Sequence, residues 1–449
     1  MKKYDVFIIG SGMAGMTVAN KCASKGLSVG ITDELPYGGT CALRGCDPKK
    51  VLIGATEVVN FAKNLQDKGV KGVPSVNWQD LMAFKQSFTE PMPSKIEKGY
   101  KKNGIEMFHS SAKFVGENQL IVGEYNIKAD KIVIATGAKP RTLGIPGGEH
   151  ALTSTDFLNL DQLPKSLLFI GGGYIAFEFA HIAARCGADV TIVHRGTSPL
   201  ENFEQDIVKH LVSATEDLGI QIVLNTEVTG ITKENDGNYQ VRGKDKDGGK
   251  DFSAAAVFNS AGRMPAIFDL DLMKANVKFS KKGVEVNEYL QSITNKHVYV
   301  AGDAADTNGL PLTPVAVMEG HILASNLIKG NHKSFNDQAM PTVVFTIPSM
   351  ASVGFTEKDA KTKSLNFKVN YKSVPTWFNA RRMNEKHYAF KTLIDNETNK
   401  VLGAHLIGPQ AEETINLFAM AMNASLKTNQ IKNMIFSYPT LASDISHMV

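Results

Sequence analysis

The stretch that decides the fold is residues 4–15, YDVFIIGSGMAG. A short run of β-favouring residues leads into the pattern G-x-G-x-x-G, supplied by Gly10, Gly12 and Gly15. A helical pattern follows, then a second expected strand at 27–32 that ends at Asp33. Such glycines allow a tight turn and a close approach of the backbone to a pyrophosphate, while the acid accepts hydrogen bonds from ribose hydroxyls. The stretch therefore predicts a dinucleotide-binding βαβ unit.

The same pattern returns in the middle of the chain. An expected strand at 166–170 leads into Gly171, Gly173 and Ala176, which occupy the three glycine positions. A helix to about residue 186 and a strand at 189–193 complete the second βαβ unit, which ends at His194 and Arg195. The chain thus carries two copies of one nucleotide-binding device.

The two copies differ at the position that reads the ribose. Asp33 lies 23 residues after Gly10, and His194 lies 23 residues after Gly171. An acid suits a free 2′-hydroxyl, whereas a basic pair suits a 2′-phosphate. We therefore predict FAD at the first site and NADPH at the second, with NADH also possible there. The alternative interpretation of His194 and Arg195 is a solvated strand end.

Composition excludes several classes of protein. The chain has 449 residues, a formal net charge of +4, 43% hydrophobic residues and four cysteines. These values are typical of a globular protein with two to four domains, and they exclude a disordered, collagen-like or disulfide-scaffold chain. The charge is too small to indicate nucleic acid. No apolar run is long enough for a membrane span and no cleavage-site pattern follows the first strand, so we expect a cytoplasmic protein.

A pair of cysteines follows the first βαβ unit. Cys41 and Cys46 lie in a glycine-containing frame, and their spacing is not one that zinc sites use, so we predict no metal. Amides at a helix start stabilise a thiolate, which suits a redox disulfide beside a flavin. The alternative is two unrelated thiols. Cys22 and Cys186, in the helices after the glycine turns, are interpreted as packing residues.

The chain resembles the class I pyridine nucleotide-disulfide oxidoreductases over essentially its whole length. The segments that carry the resemblance are 10–15, 39–50, 135–137, 171–178, 262–263, 301–303 and 312–316. It implies an α/β fold with two Rossmann-like dinucleotide-binding domains and an α+β C-terminal dimerisation domain. The implied boundaries are 1–148 with 263–338 for FAD, 149–262 for NAD(P)H and 339–449 for the dimer interface.

The resemblance also implies roles for individual residues. Cys41 is the interchange thiol that attacks a small disulfide or related thiol-reactive substrate, and Cys46 is the thiol against the flavin. Lys49 and Glu178 form an ion pair near the flavin, and Tyr174 covers it until nicotinamide arrives. The matching cofactor-binding positions, beyond the glycines and ribose positions above, are Thr40, Lys50, Thr136, Gly137, Gly262, Arg263, Asp303 and Thr313. Electrons pass from NADPH through FAD to the Cys41–Cys46 disulfide and on to the substrate.

The C-terminus departs from the family pattern. The family's His-Pro-Thr-x-x-Glu supplies a histidine that exchanges protons with the interchange thiol across the dimer. Here Tyr438 holds the histidine position and Ser443 the glutamate position, with Asp444 one residue late. A phenol is a poor base at neutral pH. Tyr438 is expected to hydrogen-bond the substrate or the partner subunit's Cys41.

Three hypotheses remain open at this stage. The first is an NADPH-dependent FAD disulfide reductase whose substrate is neither mercury, for lack of a terminal cysteine pair, nor glutathione, for lack of its binding pattern. The second is a flavin-dependent NAD(P)H oxidase or quinone reductase with incidental thiols, motivated by the missing histidine. The third is a flavin-bearing binding protein without catalysis.

Overall fold

A computed structural model describes residues 1–335 and 338–449. Two compact units can be distinguished in it. The first unit comprises 1–49, 84–141 and 263–337, and the second comprises 50–83, 142–262 and 338–449. None of the helices in the described ranges is long and apolar enough to cross a bilayer.

The strands are numbered here in chain order through the described residues. They are β1 (Lys2–Ile9), β2 (Val29–Thr32), β3 (Glu106–Phe108), β4 (Ala112–Gly116), β5 (Gln119–Val122), β6 (Tyr125–Ile134), β7 (Ala138–Pro140), β8 (Ser166–Ile170), β9 (Asp189–Val193), β10 (Gln221–Val223), β11 (Glu227–Lys233), β12 (Tyr239–Asp245), β13 (Gly248–Ala254), β14 (Ala256–Asn259), β15 (Arg263–Pro265), β16 (Phe279–Ser280), β17 (Gly283–Glu285), β18 (Val298–Val300), β19 (Ala305–Asp306), β20 (Thr342–Val344), β21 (Ser349–Gly354), β22 (Phe367–Ser373), β23 (Ala389–Asp395) and β24 (Val401–Gly408).

The α-helices are numbered in the same way. They are α1 (Met13–Ala23), α2 (Gly39–Arg44), α3 (Cys46–Asn64), α4 (Trp78–Thr89), α5 (Met92–Lys102), α6 (Ser154–Phe157), α7 (Tyr174–Arg185), α8 (Gln205–Asp217), α9 (Thr313–Lys329), α10 (Glu357–Thr362), α11 (Phe378–Arg382), α12 (Ala411–Asn423), α13 (Thr428–Lys432) and α14 (Ile445–Met448). Short 3-10 turns lie at Gly148–His150, Leu272–Ala275, Gly302–Ala304 and Leu441–Asp444.

The first unit is built on a mainly parallel sheet. Its path is β3-β2-β1-β6-β5-β4, and β18 pairs in parallel with the second half of β6. The C-terminal ends of β1 (VFII) and β6 (IVI) are continuous apolar runs, as expected of parallel strands that are covered on both faces. Apolar clusters lie against those faces, one including Phe7 and Ile132 and the other including Ile8 and Val133.

The second unit contains three sheets. The parallel sheet β10-β9-β8-β14 carries the second βαβ copy, and the antiparallel sheet β11-β12-β13 belongs to the same stretch of chain. Residues after 338 form the antiparallel sheet β20-β21-β24-β23-β22, against which α12 packs. The mixed α/β fold class predicted from the sequence is confirmed.

The two βαβ copies are built alike. In the first, β1 and β2 pair in parallel, with Ile9 opposite Thr32, and Asp33 follows at once. In the second, β8 and β9 pair in parallel, with Ile170 opposite Val193, and His194 follows at once. Both ribose-reading positions therefore lie at the carboxyl edge of a parallel sheet, where nucleotides bind in this class of fold.

A buried lysine ties α8 to the C-terminal sheet within the second unit. Lys391 on β23 is 2% exposed, and its Nζ lies 2.9 Å from Glu204, 2.7 Å from Asp206 and 2.5 Å from Glu357. The three carboxylates have the grouping of a metal site, but the ammonium of Lys391 occupies the centre of the group. The hydrogen bond from Lys391 lowers the pKa of Asp206. This cluster is a structural ion network.

We predict that Lys391→Met strongly destabilises the chain, because it leaves the buried Glu204 and two partly buried carboxylates without their counter-charge. Urea unfolding at pH 7 should show a loss of about 3 kcal/mol in the free energy of unfolding. The depressed pKa of Asp206 stabilises the folded state at pH values above the ordinary carboxyl pKa, and this contribution is lost as the pH falls. The difference in the free energy of unfolding between wild type and variant should therefore narrow toward about pH 3. Lys209→Met, which removes an exposed partner of Asp206, is the control and should change stability little; equal losses in both variants would contradict the prediction.

Candidate dinucleotide and thiol site

The first glycine turn is packed too tightly for any side chain. Gly10 has φ +105°, and a Cβ there would lie 2.3 Å from the carbonyl oxygen of Ala135. Gly39 has φ +66°, and its Cβ would lie 2.5 Å from the Cα of Gly12. Because Gly39 begins α2, the turn that faces a dinucleotide is in backbone contact with the helix that carries Cys41.

Asp33 braces the same turn. Its Oδ2 accepts hydrogen bonds from the Ser11 amide at 2.8 Å and the Ser11 hydroxyl at 2.7 Å. Its Oδ1 accepts from the Leu35 amide at 3.0 Å. The predicted ribose acid therefore also holds the loop that would cradle the pyrophosphate. Ser11, one of the unspecified positions of the motif, was missed by the sequence reasoning.

Other polar groups of the first unit fit a dinucleotide. Thr136 Oγ1 is buried and has no hydrogen-bond partner among the described residues. Burial raises the pKa of Asp303, whose 3-10 turn follows β18. The buried Glu319 of α9 accepts a hydrogen bond from the Gly302 amide at 2.6 Å and so holds that turn. Glu319 had no motif that would mark it in the sequence.

The fit to FAD rests on these observations. A bound dinucleotide would use the side of Gly12 that carries no side chain, an unpartnered buried hydroxyl and a half-buried carboxyl. Nearby, the Arg263 guanidinium donates to the carbonyl of Ala138, and the Ala266 amide donates to the carbonyl of Gly137. The predicted residues Thr136, Gly137, Arg263 and Asp303 thus belong to one structural unit with the first glycine turn.

The two cysteines of the pair are free thiols in contact with each other. Cys41 lies on α2, and Cys46 begins α3. The side chain of Thr313, at the first position of α9, lies 3.6 Å from Cys46 Sγ. Thr40, also predicted at the cofactor, is exposed beside Cys41 on α2.

The structure separates the two thiols by their acidity. The hydrogen bond that Cys41 donates lowers the pKa of Cys46 to about 6, with help from the Thr313 hydroxyl and the charge of Lys49. The same hydrogen bond, together with burial, raises the pKa of Cys41. Burial raises the pKa of Cys22 and of Cys186 to about 12. Cys46 is thus the thiolate of the pair, and the other two cysteines are inert packing residues.

The second glycine turn repeats the bracing with a different side chain. The Gly172 amide donates to His194 Nδ1 at 3.1 Å, and His194 Nε2 donates to the carbonyl of Ser198 at 3.1 Å. An imidazole that accepts at one nitrogen and donates at the other is neutral. The role of His194 at a 2′-phosphate stays a prediction. His194 holds the turn, as Asp33 does in the first copy.

Arg195 remains as the cation at this end of β9. Its side chain is exposed, next to the turn that His194 holds. Gly171 has φ +113°, and a Cβ there would lie 2.5 Å from the carbonyl oxygen of Ser260. Gly173 caps α7, where Tyr174 is 43% exposed and Ala176 is buried. Gly262, with φ +108°, is the last residue of the middle segment of the second unit, 142–262.

The predicted polar residues of α3 and α7 are buried or engaged. Glu178 is 1% exposed and accepts a hydrogen bond from the Phe345 amide at 2.8 Å. Lys49 is buried in the first unit. Lys50 Nζ lies 3.5 Å from Glu57 and 3.7 Å from Glu412. The structure thus directs Lys50 to carboxylates of its own unit, and its role at a cofactor stays a prediction.

The C-terminal motif has no substitute dyad of its own. Tyr438 is 78% exposed and its ring lies beside Phe378. Ser443, in the glutamate position, closes a capping box with Thr440. Asp444 accepts hydrogen bonds from Asn379 and Tyr388. Ser443 and Asp444 are thus engaged with residues other than Tyr438.

Comparisons with known proteins agree with this geometry. Residues 4–320 match the model of the pyridine nucleotide-disulphide oxidoreductase family, and residues 340–449 match that family's dimerisation domain. The chain is 30% identical over 451 residues to a glutathione reductase of Burkholderia cepacia, covering 99% of this chain and 98% of the relative. It is 32% identical over 448 residues to a mercuric reductase of Bacillus cereus, covering 98% of this chain and 70% of the relative.

A solved structure matches the whole chain. The HOCl-induced flavoprotein disulfide reductase RclA from Escherichia coli, solved as a Cu(II) complex, superposes with a TM-score of 0.88 at 27% identity. The match covers 100% of this chain and 99% of RclA.

The thiol geometry predicts the effect of removing one partner. Cys41→Ala deletes the S–H that stabilises the Cys46 thiolate, so the pKa of Cys46 should rise by at least one unit from about 6. The pH dependence of iodoacetamide alkylation of Cys46 in the reduced protein, followed by mass spectrometry, measures this shift. Cys186→Ala is the matched control and should leave the midpoint in place. A midpoint for Cys41→Ala at or below the wild-type value would contradict the assignment.

Proposed function

The chain belongs to the pyridine nucleotide-disulphide oxidoreductase family, and we propose that it is a homodimeric, NADPH-dependent reductase of small disulfides that acts through Cys41 and Cys46. Members of the family are FAD-dependent oxidoreductases that act on sulfur groups with NAD(P)H. The observation that carries the proposal is the division of the thiols into a low-pKa Cys46 and a protonated Cys41.

The residues proposed to hold FAD lie around the first glycine turn. Asp33 would take the ribose, the amides of the turn and the start of α1 would take the pyrophosphate, and Thr136 and Asp303 would supply further polar contacts. The chemistry that FAD supplies when bound is the transfer of a hydride's two electrons from nicotinamide to a disulfide. By the family resemblance, Lys49, Glu178 and Tyr174 belong to the flavin and nicotinamide side of the site.

The thiols carry the substrate half of the reaction. With the pair reduced, Cys46 holds the negative charge because Cys41 and Thr313 donate hydrogen bonds to it. Cys41 attacks one sulfur of the substrate, forms a mixed disulfide and releases the first thiol. Cys46 then attacks Cys41, which releases the second thiol and restores the disulfide within the chain. Two electrons and two protons reach the substrate in each cycle.

A second candidate substrate is Cu(II). RclA, which matches the whole chain, was solved with this ion. The sulfur atoms of Cys41 and Cys46 are soft ligands of the kind that favour Cu(I), so transfer of one electron to each of two Cu(II) ions would also discharge the reduced pair. This alternative keeps the same thiols and the same source of electrons.

We expect Cys41→Ser and Cys46→Ser each to lower NADPH oxidation with low-molecular-weight disulfides by more than 100-fold, since each thiol is consumed in the cycle. Anaerobic NADPH titration should develop the long-wavelength thiolate–flavin absorbance in wild type and lose it in Cys46→Ser. Cys186→Ser is the control and should remain active.

The same assay separates the alternatives. Turnover with Cu(II) but with no disulfide in the panel would replace the disulfide by the metal ion as substrate. Turnover with oxygen or quinones that survives Cys41→Ser would favour an oxidase or quinone reductase. NADPH-dependent turnover of any kind would exclude a pure binding role.

The exposed position of Arg195, next to the turn that His194 holds, predicts the nucleotide preference. Arg195→Ala should raise the KM for NADPH about tenfold or more and leave the KM for NADH nearly unchanged, because a charge-assisted contact to the 2′-phosphate is lost. Steady-state kinetics with both nucleotides measures the ratio. Arg242→Ala, an exposed arginine on β12, is the matched control. Equal effects on the two nucleotides would mean that Arg195 is a solvated strand end.

A further inference from the structure

We propose that Asp47 is the acid–base group of the Cys41 thiol and takes the part of the histidine that the C-terminal motif lacks. The inference rests on the disulfide reductase activity proposed above and names a catalytic residue for it. Asp47 follows the second cysteine directly in the chain, and no motif singles it out.

The geometry that carries the proposal is the turn between α2 and α3. α2 ends at Arg44, Gly45 (φ −153°, ψ −110°) interrupts the helical backbone, and α3 begins at Cys46. Asp47 lies in the first turn of α3, and its Oδ1 is 3.9 Å from Cys41 Sγ on α2. The carboxylate is therefore within hydrogen-bonding distance of the sulfur. An acid is favoured at a helix start by the helix dipole, but the dipole does not direct it at a neighbouring sulfur.

The groups that face Cys41 come from three elements. Cys46 and Asp47 face it from α3 and the Thr313 hydroxyl from α9, while the charge of Lys49 bears on Cys46. Among the causes that raise the pKa of Cys41 is the negative charge of Asp47. A carboxylate in this place therefore keeps the proton on Cys41 at rest, and it is also the acceptor to which that proton can pass.

The proposed proton transfer runs from Cys41 to the leaving thiolate by way of Asp47. Cys41 Sγ gives its proton to Asp47 Oδ1 and its electron pair to one sulfur of the substrate. The substrate S–S bond breaks, and the leaving thiolate takes the proton from Asp47 to become a thiol. Cys46 then displaces the second thiolate from Cys41, and that thiolate takes a proton from water. Asp47 ends the cycle ionised, as it began.

The C-terminal residues do not offer an equivalent group within this chain. Ser443 and Asp444 are used in local contacts, and Tyr438 carries a phenol, which is a poor proton acceptor at neutral pH. Asp47, by contrast, is already in contact with the sulfur that must lose its proton.

The test is Asp47→Asn in the full-length, FAD-loaded protein, with two probe disulfides. Bis(2-hydroxyethyl) disulfide releases a basic alkyl thiolate that needs a proton, whereas 5,5′-dithiobis(2-nitrobenzoate) releases a weakly basic aryl thiolate that does not. We expect kcat/KM for the alkyl disulfide to fall at least tenfold and that for the aryl disulfide to change less than threefold. Asp47→Glu should recover most of the alkyl activity, and Asp80→Asn, which removes an exposed carboxylate on α4, should behave as wild type.

Alkylation supplies the readout that does not depend on turnover. In a Cys46→Ser background, iodoacetamide should modify Cys41 faster at neutral pH when Asp47 is Asn, because the carboxylate no longer raises the pKa of the thiol. If Asp47 acted only through its charge, the Asp47→Asn variant would attack both disulfides faster than wild type. The combination of faster alkylation with slower alkyl-disulfide reduction is the signature of an acid–base group.

The outcomes are distinct. An Asp47→Asn variant that reduces the alkyl disulfide as fast as wild type, or faster, overturns the assignment of Asp47. Equal losses with both disulfides, without recovery in Asp47→Glu, reduce Asp47 to a folding residue and overturn it too. A wild-type protein that reduces neither disulfide refutes the proposed function itself, and the alkylation rates then still report whether Asp47 bears on Cys41.

Discussion

The contact on which the site depends is the one between two backbones, at Gly12 and Gly39. No side chain fits between them, since a Cβ on Gly39 would lie 2.5 Å from the Cα of Gly12. This contact fixes the turn after β1 against the start of α2. The loop that would hold a pyrophosphate and the helix that carries Cys41 are therefore parts of one rigid arrangement, as an electron transfer between cofactor and thiol requires.

Duplication of the βαβ unit explains how one chain provides two nucleotide sites. Asp33 and His194 occupy the same position at the carboxyl edge of their sheets, and each accepts a hydrogen bond from the amide that follows the first glycine of its turn. The structural task of this position is thus common to both copies. The chemical difference between the copies is the one proposed for Arg195, which is exposed directly after His194.

The thiol pair owes its asymmetry to its surroundings. One hydrogen bond between the sulfurs lowers the pKa of Cys46 and raises the pKa of Cys41, and the charge of Lys49 lowers the pKa of Cys46 further. The Thr313 hydroxyl lowers the pKa of both thiols, and the negative charge of Asp47 raises the pKa of both. A proton acceptor beside the protonated thiol supplies what the C-terminal Tyr438 does not.

The sequence by itself determined the two βαβ units, because glycine positions, strand runs and strand ends are local patterns that steric limits enforce. It also determined the cysteine pair, which matches the spacing of the family, and the departure at Tyr438, which stands where the family has a histidine. The tertiary structure decided the rest, because it depends on residues distant in sequence. Glu319 on α9 holds the turn that contains Asp303, and both ring nitrogens of His194 form hydrogen bonds with the backbone. Asp47 comes within 3.9 Å of Cys41 across the break between α2 and α3 at Gly45, which no periodicity in the sequence reveals.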